Sequence, residues 1–257
     1  MIYLKVFPKH TSYESELNVG GEDFEIPNVS YCDDADDIHY NPYNTVEFYV
    51  GEITEPQTVK IYTDKSTSID VTVSEGNKWY SYLLPKDKGL YKIEGDSVKK
   101  VNVKADINTY GNIIIPTSTV EASFKGSDTS KAYNIYRMFR NCSGLISLDV
   151  SSFDTSNQDN LNLMFENCAK LESLDLSSFN TSNVNDMIEM FNGCAALTSL
   201  DLSGWDMSIE TIFTNDMFKG CGALKEIKMI GCKQPTVNKI KAQLTTDGIT
   251  GATITTK

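Results

Sequence analysis

The stretch MFENCAKLESLDLSSFNTSNVNDMIEMFNGC, residues 164–194, begins and ends on one motif, Met-Phe followed three residues later by Cys. The motif also occurs at Met138 and at Met217, so successive copies lie 26, 26 and 27 residues apart. A fixed period of this length is the mark of a repeat protein, in which each period folds as one structural unit. The fold must therefore be derived from one unit and its neighbours.

Each unit reads as a strand followed by a turn and a short helix. Leu174 and Leu176 alternate around Asp175, as inward residues of a short strand do. The segment 180–183, Asn-Thr-Ser-Asn, has the short polar side chains that favour turns. The helix is predicted from apolar residues at i, i+3, i+6 and i+7, which are Val184, Met187, Met190 and Phe191.

A single unit is too small to fold alone. Its apolar side chains, about seven of them, contribute roughly 10–20 kcal/mol when buried. Ordering the backbone costs about 1–2 kcal/mol for every residue of the unit, which is more. Neighbouring units must therefore stack and share a core, with parallel strands on one side and the helices opposite.

The motif Met-Phe-x-x-Cys-x-x-Leu-x-x-Leu-Asp-Leu resembles the BspA-like leucine-rich repeats of bacterial surface proteins, in the variant common in gut bacteria and mycoplasmas. The resemblance covers about residues 117–232. It implies a right-handed leucine-rich-repeat solenoid, an extracellular or cell-surface location, and a role in adhesion or protein binding. It supplies no catalytic residues.

The chain divides into three predicted parts, and the fold class is α+β. Residues 1–115 are a small antiparallel β domain, in which 8–44 are partly irregular. Residues 116–232 are the leucine-rich-repeat solenoid, and 233–257 form its C-terminal cap, a helix followed by a closing strand. Val98, Val101 and Val103 repeat the spacing of the solenoid strands, so this segment is either the last strand of the β domain or the solenoid's first strand.

Two columns of residues are predicted to fill the solenoid. Their members recur in the same phase of each unit: Cys142, Cys168, Cys194 and Cys221, and Phe139, Phe165, Phe191 and Phe218. Unoxidised cysteine packs as a small apolar residue. Because a column presents one sulfur at each level, whereas a metal site needs several converging ligands, we predict buried, reduced thiols without metal or disulfide.

The outward face of the strands is the candidate partner surface. Its residues form two rows, Ser147, Ser173 and Ser199 beside Asp149, Asp175 and Asp201. Each Asp lies between two inward residues, so it must point away from the core, onto the concave face of a leucine-rich-repeat solenoid. Two interpretations are open: the aspartates accept hydrogen bonds from nearby turn amides, or they form an acidic ribbon that attracts a basic partner or weakly binds a cation.

Composition excludes several classes of function. The net charge of −12 and the pI near 4.6 argue against nucleic-acid binding. We expect no membrane span, because no apolar run approaches 18 residues, and no signal peptide in the first residues, MIYLKVFPKH. A phage-associated location fits that expectation as well as a cell-surface one does.

Catalysis and cofactor binding have little support. Metal-protease, hydrolase, P-loop and CxxC motifs are absent from the sequence, and its two histidines, His10 and His39, lie in the irregular segment. The acidic run after Cys32, residues 33–37, lacks the spacing of an EF-hand and is read as a solvated loop. We therefore expect a non-enzymatic protein-interaction or adhesion module without cofactors.

One alternative function remains. Trp79, Tyr80 and Tyr82 are either the core and rim of the N-terminal β domain or a platform on which sugar rings stack. In the second case the chain would be a carbohydrate-binding protein, with the solenoid as a spacer.

Overall fold

The computed structural model describes residues 45–84, 88–107 and 113–257 in full, together with the backbone of two short strands before them. The strands, in chain order, are β1 (Lys5–Val6), β2 (Val29–Cys32), β3 (Thr45–Val50), β4 (Gln57–Tyr62), β5 (Ser68–Val73), β6 (Lys78–Leu83), β7 (Lys92–Glu94), β8 (Val98–Lys104), β9 (Glu121–Ser123), β10 (Ser147–Asp149), β11 (Ser173–Asp175), β12 (Ser199–Asp201), β13 (Glu226–Lys228) and β14 (Thr253–Thr255). Helix α1 (Gln234–Thr246) lies between β13 and β14. The predicted irregularity of 8–44, both histidines and the acidic run 33–37 fall outside the described residues.

The strands form three sheets. The first has the order β1-β2-β6-β3-β8-β9-β10, the second β11-β12-β13-β14, and the third β5-β4-β7. Pairing within β6-β3-β8 and within β5-β4-β7 is antiparallel, which confirms the predicted antiparallel sheet near the N-terminus. From β8 onward, through β9 and β10, the pairing of the first sheet is parallel.

Residues from Glu121 onward wind as a β-solenoid, so the predicted solenoid is confirmed. Five successive coils begin at β9, β10, β11, β12 and β13. Within the second sheet, each residue pairs with its counterpart one repeat later, as Leu174 does with Leu200 and Leu200 with Ile227. These three side chains are buried, and the serine, aspartate, glutamate and lysine on either side of them point outward.

The predicted short helix within each repeat is wrong. Val184, Met187, Met190 and Phe191 are all buried as expected, but the segment consists of consecutive turns. Several of its backbone N–H groups bond to the next coil: the amide of Leu163 donates to the carbonyl of Ile188 at 2.9 Å, and that of Glu189 to Asn215 at 2.9 Å. An α-helix would use those donors within the segment.

Left-handed backbone positions interrupt any helix at the same point in each coil. Arg137, Leu163, Glu189 and Asp216 have φ of 60°, 57°, 53° and 54°. A second column of positive φ follows four residues later, at Asn141, Asn167, Gly193 and Gly220. Because left-handed residues cost energy unless they are Gly or Asn, this backbone persists only where the surrounding coils hold it.

A continuous stack of aromatic rings fills the solenoid beside the consecutive turns that replace the predicted helices. Phe139, Phe165, Phe191 and Phe218 are fully buried, with neighbouring ring centroids 5.6, 5.7 and 5.6 Å apart and interplanar angles of 7°, 1° and 11°. A second stack places Phe153 over Phe179 at 6.2 Å. Trp205 occupies the same phase one repeat later, and its indole N–H donates to the carbonyl of Leu176 at 3.0 Å.

Buried threonines link the turns of neighbouring coils. The Thr129 hydroxyl donates to the carbonyl of Asp154 at 3.0 Å and accepts that residue's N–H at 2.7 Å. Thr181 makes the same pair of bonds to Asp206, at 3.0 and 2.8 Å. Each hydroxyl thus satisfies one backbone donor and one acceptor of the next coil, which removes the cost of burying all three groups.

The two ends of the solenoid are built differently. At the N-terminal end, β8 pairs antiparallel with β3 and parallel with β9, so it is both a strand of the N-terminal sheet and the strand on which the first coil stacks. At the C-terminal end, α1 buries Val237, Ile240 and Leu244, the residues that predict it, and Gly248 follows with φ 77°. The chain then closes with β14, parallel to β13.

Candidate functional site

The outward side chains of β8–β13, here called the strand face, form two rows across the coils. One row runs from Lys100 through Glu121 and Ser147, and the other from Asn102 through Ser123 and Asp149. In the second sheet the rows continue as Ser173, Ser199 and Glu226, and as Asp175, Asp201 and Lys228. The strand face is therefore polar along its whole length, whereas the residues between the rows are inward and apolar.

The sequence predicted an uninterrupted row of aspartates, but the strands that carry them do not form one continuous ladder. Asp149 pairs with Ser123 in the first sheet, whereas Asp175 pairs with Asp201 in the second. The hydrogen-bonded ladder thus ends at β10 and begins again at β11. Asp175 and Asp201 stand on directly paired strands, which are about 4.8 Å apart. Lys228, which pairs with Asp201, ends the acidic row.

One oxygen of each aspartate serves the repeat's own turn. The Oδ1 atoms of Asp149, Asp175 and Asp201 accept the amide N–H two residues later, of Ser151, Ser177 and Ser203, at 2.9, 2.9 and 3.0 Å. This is the first of the two interpretations drawn from the sequence. The Oδ2 atoms form no hydrogen bond within the described residues, so a carboxylate oxygen in each coil is left for solvent or a partner.

A shallow groove crosses the strand face between β11 and β13. It has a volume of about 190 Å³. Its lining consists of Ser173, Leu174, Asp175, Ser199, Leu200, Asp201, Glu226 and Lys228. Pockets that bind small molecules and cofactors usually have about 300–1,000 Å³, so this groove suits one or two side chains of a macromolecule better than a whole ligand.

The cysteine column lies inside the solenoid, away from the strand face. Cys142, Cys168, Cys194 and Cys221 are fully buried and carry free thiols. The thiols of Cys168, Cys194 and Cys221 each donate to a phenylalanine carbonyl of the preceding coil at 3.1 Å. Burial raises the pKa of the Cys142 and Cys221 thiols to about 12, and it raises the pKa values of Cys168 and Cys194 well above their ordinary value.

The three N-terminal aromatics do not form a common platform. Tyr80 and Tyr82 are buried, and Tyr80 stacks on Phe48 at 5.7 Å inside the core. Trp79 alternates with them and lies on the other face of β6, in edge contact with Tyr49 at 5.7 Å. Successive strand residues point to opposite faces, which is why the sequence neighbours Trp79 and Tyr80 separate. The three side chains named for sugar stacking therefore do not share one surface.

Three aspartates and one asparagine in the turns form another column across the coils. The Oδ1 atoms of Asp128, Asp154, Asn180 and Asp206 accept the amide N–H two residues later at 2.8–3.1 Å. Bonds from Ser130 and Ser156 lower the pKa of Asp128 and Asp154, and the ion pair with Lys233, together with Ser208, lowers that of Asp206. The repeated Asp/Asn-Thr-Ser tripeptide was the available signal, since such residues favour bonds to nearby backbone.

The described residues contain no group of three or more His, Cys, Asp or Glu side chains placed to hold a metal ion. Within the same part of the chain, no helix has the length and apolar character needed to cross a membrane.

Comparison with known proteins matches residues 112–229 to one family, described as a Mycoplasma protein of unknown function, DUF285. The match covers the coils, from the segment before β9 to the end of β13. No curated protein matches the chain. No solved structure matches it either.

Proposed function

We propose that this protein is a non-enzymatic interaction module that holds a protein partner on the strand face of its solenoid. The observation that carries the proposal is the groove across β11–β13, which is lined by hydroxyl and carboxylate side chains of successive coils. The repeat's own turns use one oxygen of each aspartate, and the second oxygen faces outward in successive coils.

The chemistry of the strand face defines the partner. Asp175 and Asp201 are adjacent carboxylates, and like charges on neighbouring strands cost stability. A partner that brings Lys or Arg side chains to this pair relieves the repulsion and bonds the outward oxygens. The neighbouring serines, Ser173 and Ser199, supply neutral donors and acceptors on the same face. The partner that fits is a protein with a basic patch.

A cell-surface or phage-associated location belongs to the same proposal. Support comes from the resemblance of the repeat to BspA-like surface proteins, and an adhesion role would use the strand face as its contact surface.

The experiment measures binding of fluorescein-labelled oligolysine by fluorescence anisotropy at low and at physiological salt. The test variant carries Asp149→Asn, Asp175→Asn and Asp201→Asn, which keep the turn hydrogen bonds because the amide oxygen also accepts them. We expect affinity at low salt to fall by roughly three- to 150-fold, since each of the three exposed charge pairs contributes about 0.2–1 kcal/mol. Raising the salt concentration should reduce the difference between variant and wild type.

A control variant of equal net charge separates the strand face from the charge of the whole protein. Asp159→Asn, Glu172→Gln and Glu210→Gln remove three exposed carboxylates from outside both rows. This control should bind oligolysine nearly as well as the wild type does. Equal weakening by both triple variants would mean that only net charge matters, and the proposed surface would be wrong.

A further inference from the structure

The C-terminal end of the solenoid differs in charge from the rest of the protein. Residues 217–257 contain seven lysines and two acidic residues, a net charge of +5. Residues 113–216, which form most of the coils, contain five basic and fourteen acidic residues, a net charge of −9. The positive charge is thus concentrated on the last coil and its cap, in a protein whose total charge is −12.

The same end presents an open strand edge. β14 is the last strand in the order of the second sheet and pairs with β13 alone among the described residues. The amide of Thr253 donates to the carbonyl of Lys225 at 2.8 Å, and the carbonyl of Thr255 accepts from Met229 at 2.8 Å. Backbone groups of a strand alternate in direction, so the N–H and carbonyl of Ile254 point away from β13, to the open side.

Nothing in the sequence of this edge discourages pairing. Proteins usually protect an exposed edge with charged residues, proline or a bulge. The edge strand β5 of the third sheet follows this rule, because Asp70 stands exposed at its centre. By contrast, the segment 248–256 around β14, Gly-Ile-Thr-Gly-Ala-Thr-Ile-Thr-Thr, contains no charged residue and no proline.

Lysines flank this uncharged edge on its outward face. Lys228 pairs in register with Thr255, and both side chains are exposed. Lys257, two residues after Thr255, is also exposed. Neither lysine forms an ion pair within the described residues. Two cations therefore lie beside a strand edge whose backbone groups are open to pairing.

We propose that the β14 edge is a second binding site, which takes an extended, acidic peptide segment of a partner protein as an added strand. Backbone hydrogen bonds from Ile254 hold the segment, and Lys228 and Lys257 select acidic side chains at alternate positions, as in other strand-addition interfaces. Antiparallel pairing of β14 with β14 of a second copy would bring two +5 ends together, so charge favours the acidic segment. The site shares Lys228 with the end of the strand face, but it is built on the backbone edge of β14, which the strand-face proposal does not use.

The test measures anisotropy of a labelled peptide, Glu-Thr-Glu-Val-Glu-Thr with blocked termini, against the matched peptide with lysine for glutamate. We expect the acidic peptide to bind and Ile254→Pro to weaken it, whereas Ile254→Pro should leave any binding of the basic peptide unchanged, because that peptide would occupy the strand face. Ile254→Pro removes the outward N–H while leaving the bonds from Thr253 and Thr255 to β13, and should weaken binding by about three- to tenfold, the contribution of a hydrogen bond. Thr256 is exposed, and because it lies two residues after Ile254 its N–H also points to the open side. Thr256→Pro therefore replaces Ile254→Pro in the test if the latter fails to fold.

Charge variants complete the test. Lys228→Gln with Lys257→Gln should weaken acidic-peptide binding at low salt, whereas Lys170→Gln, an exposed lysine on an earlier coil, should not. The strand-face variant Asp149→Asn, Asp175→Asn, Asp201→Asn should bind the acidic peptide as the wild type does, so the two proposals fail independently. Undetectable binding, or binding that neither proline variant weakens, would overturn the proposal. So would concentration-dependent self-association in sedimentation that Ile254→Pro abolishes, because a second copy would then occupy the edge.

Discussion

The phenylalanine stack allows one interaction to be measured by comparing its middle with its end. Phe165 is fully buried and stacks on Phe139 and on Phe191, at 5.6 and 5.7 Å. Phe218 is also fully buried, but it stacks on Phe191 alone among the described rings. Phe165→Leu therefore removes two ring pairs and Phe218→Leu removes one, while both exchange the same side chain in an apolar interior.

The expected magnitude follows from that difference. A stacked ring pair contributes about 0.5–1.5 kcal/mol beyond the area it buries. The loss of apolar volume is common to both variants and cancels in the comparison. Phe165→Leu should thus lower the free energy of unfolding by about 0.5–1.5 kcal/mol more than Phe218→Leu does. Phe165→Ala, which leaves a larger cavity, should cost about 3–5 kcal/mol in total.

Urea denaturation followed by far-UV circular dichroism measures these differences, with the midpoint and the slope fitted together. An unchanged slope indicates that each variant unfolds over the same surface. Hydrogen exchange of the coils provides a second measurement, because destabilisation should spread first to neighbouring coils. The reasoning is refuted if Phe218→Leu lowers the free energy of unfolding as much as Phe165→Leu does, or more.

Three further predictions concern cysteines, pH and the shared sheet. At pH 8, alkylation mapped by mass spectrometry should modify Cys232 before any residue of the buried column, and early modification of Cys168 would contradict its burial. The folded state lowers the pKa of the Asp154 carboxyl, so the stability that this residue contributes is present above pH 3.8, its unfolded pKa, and is lost as the pH falls below that value. Asp154→Asn should therefore reduce the fall in unfolding free energy at acid pH, and an unchanged fall would contradict this. Val101→Ala on β8 should lower hydrogen-exchange protection in both β3 and β9, because β8 pairs with both, and loss in β3 alone would show that the sheet is not cooperative.

The sequence predicted the strands and the cap because their signals are local. Leu174 and Leu176 alternate around an outward aspartate, and Val237, Ile240 and Leu244 mark one helical face; the structure places all of them in the core. The period of 26 residues then fixed which residues stack, since equal phases must lie above one another. The buried columns of phenylalanine and cysteine follow from that reasoning alone.

The helix within each repeat was mispredicted because its apolar spacing has two physical solutions. Residues at i, i+3, i+6 and i+7 share one face of a helix, but they also turn inward when consecutive turns bond to the next coil. The deciding feature is the positive φ inside the segment, at Leu163 and Glu189. Leu and Glu rarely adopt this conformation, so their types gave no local signal against a helix.

The candidate site was predicted less completely than the fold. Rows of outward serines and aspartates follow from alternation, but the break in the ladder between Asp149 and Asp175 depends on how neighbouring coils are placed, and no local pattern encodes it. Lys228 was expected to end the acidic row, but the groove that it lines together with Glu226 depends on how the strands are placed. The basic end of the solenoid was visible only when charge was counted by segment.

Because neighbouring coils meet through the same columns of side chains, the length of this protein can change in whole-coil steps. Phe165 meets Phe191 as Phe139 meets Phe165, and Thr129 bonds Asp154 as Thr181 bonds Asp206. Duplicating a 26-residue period would therefore create no new interface, and it would lengthen the outward face by about 4.8 Å, one strand spacing. Gene duplication thus offers this fold a way to adjust the reach of its surface while both ends remain unchanged.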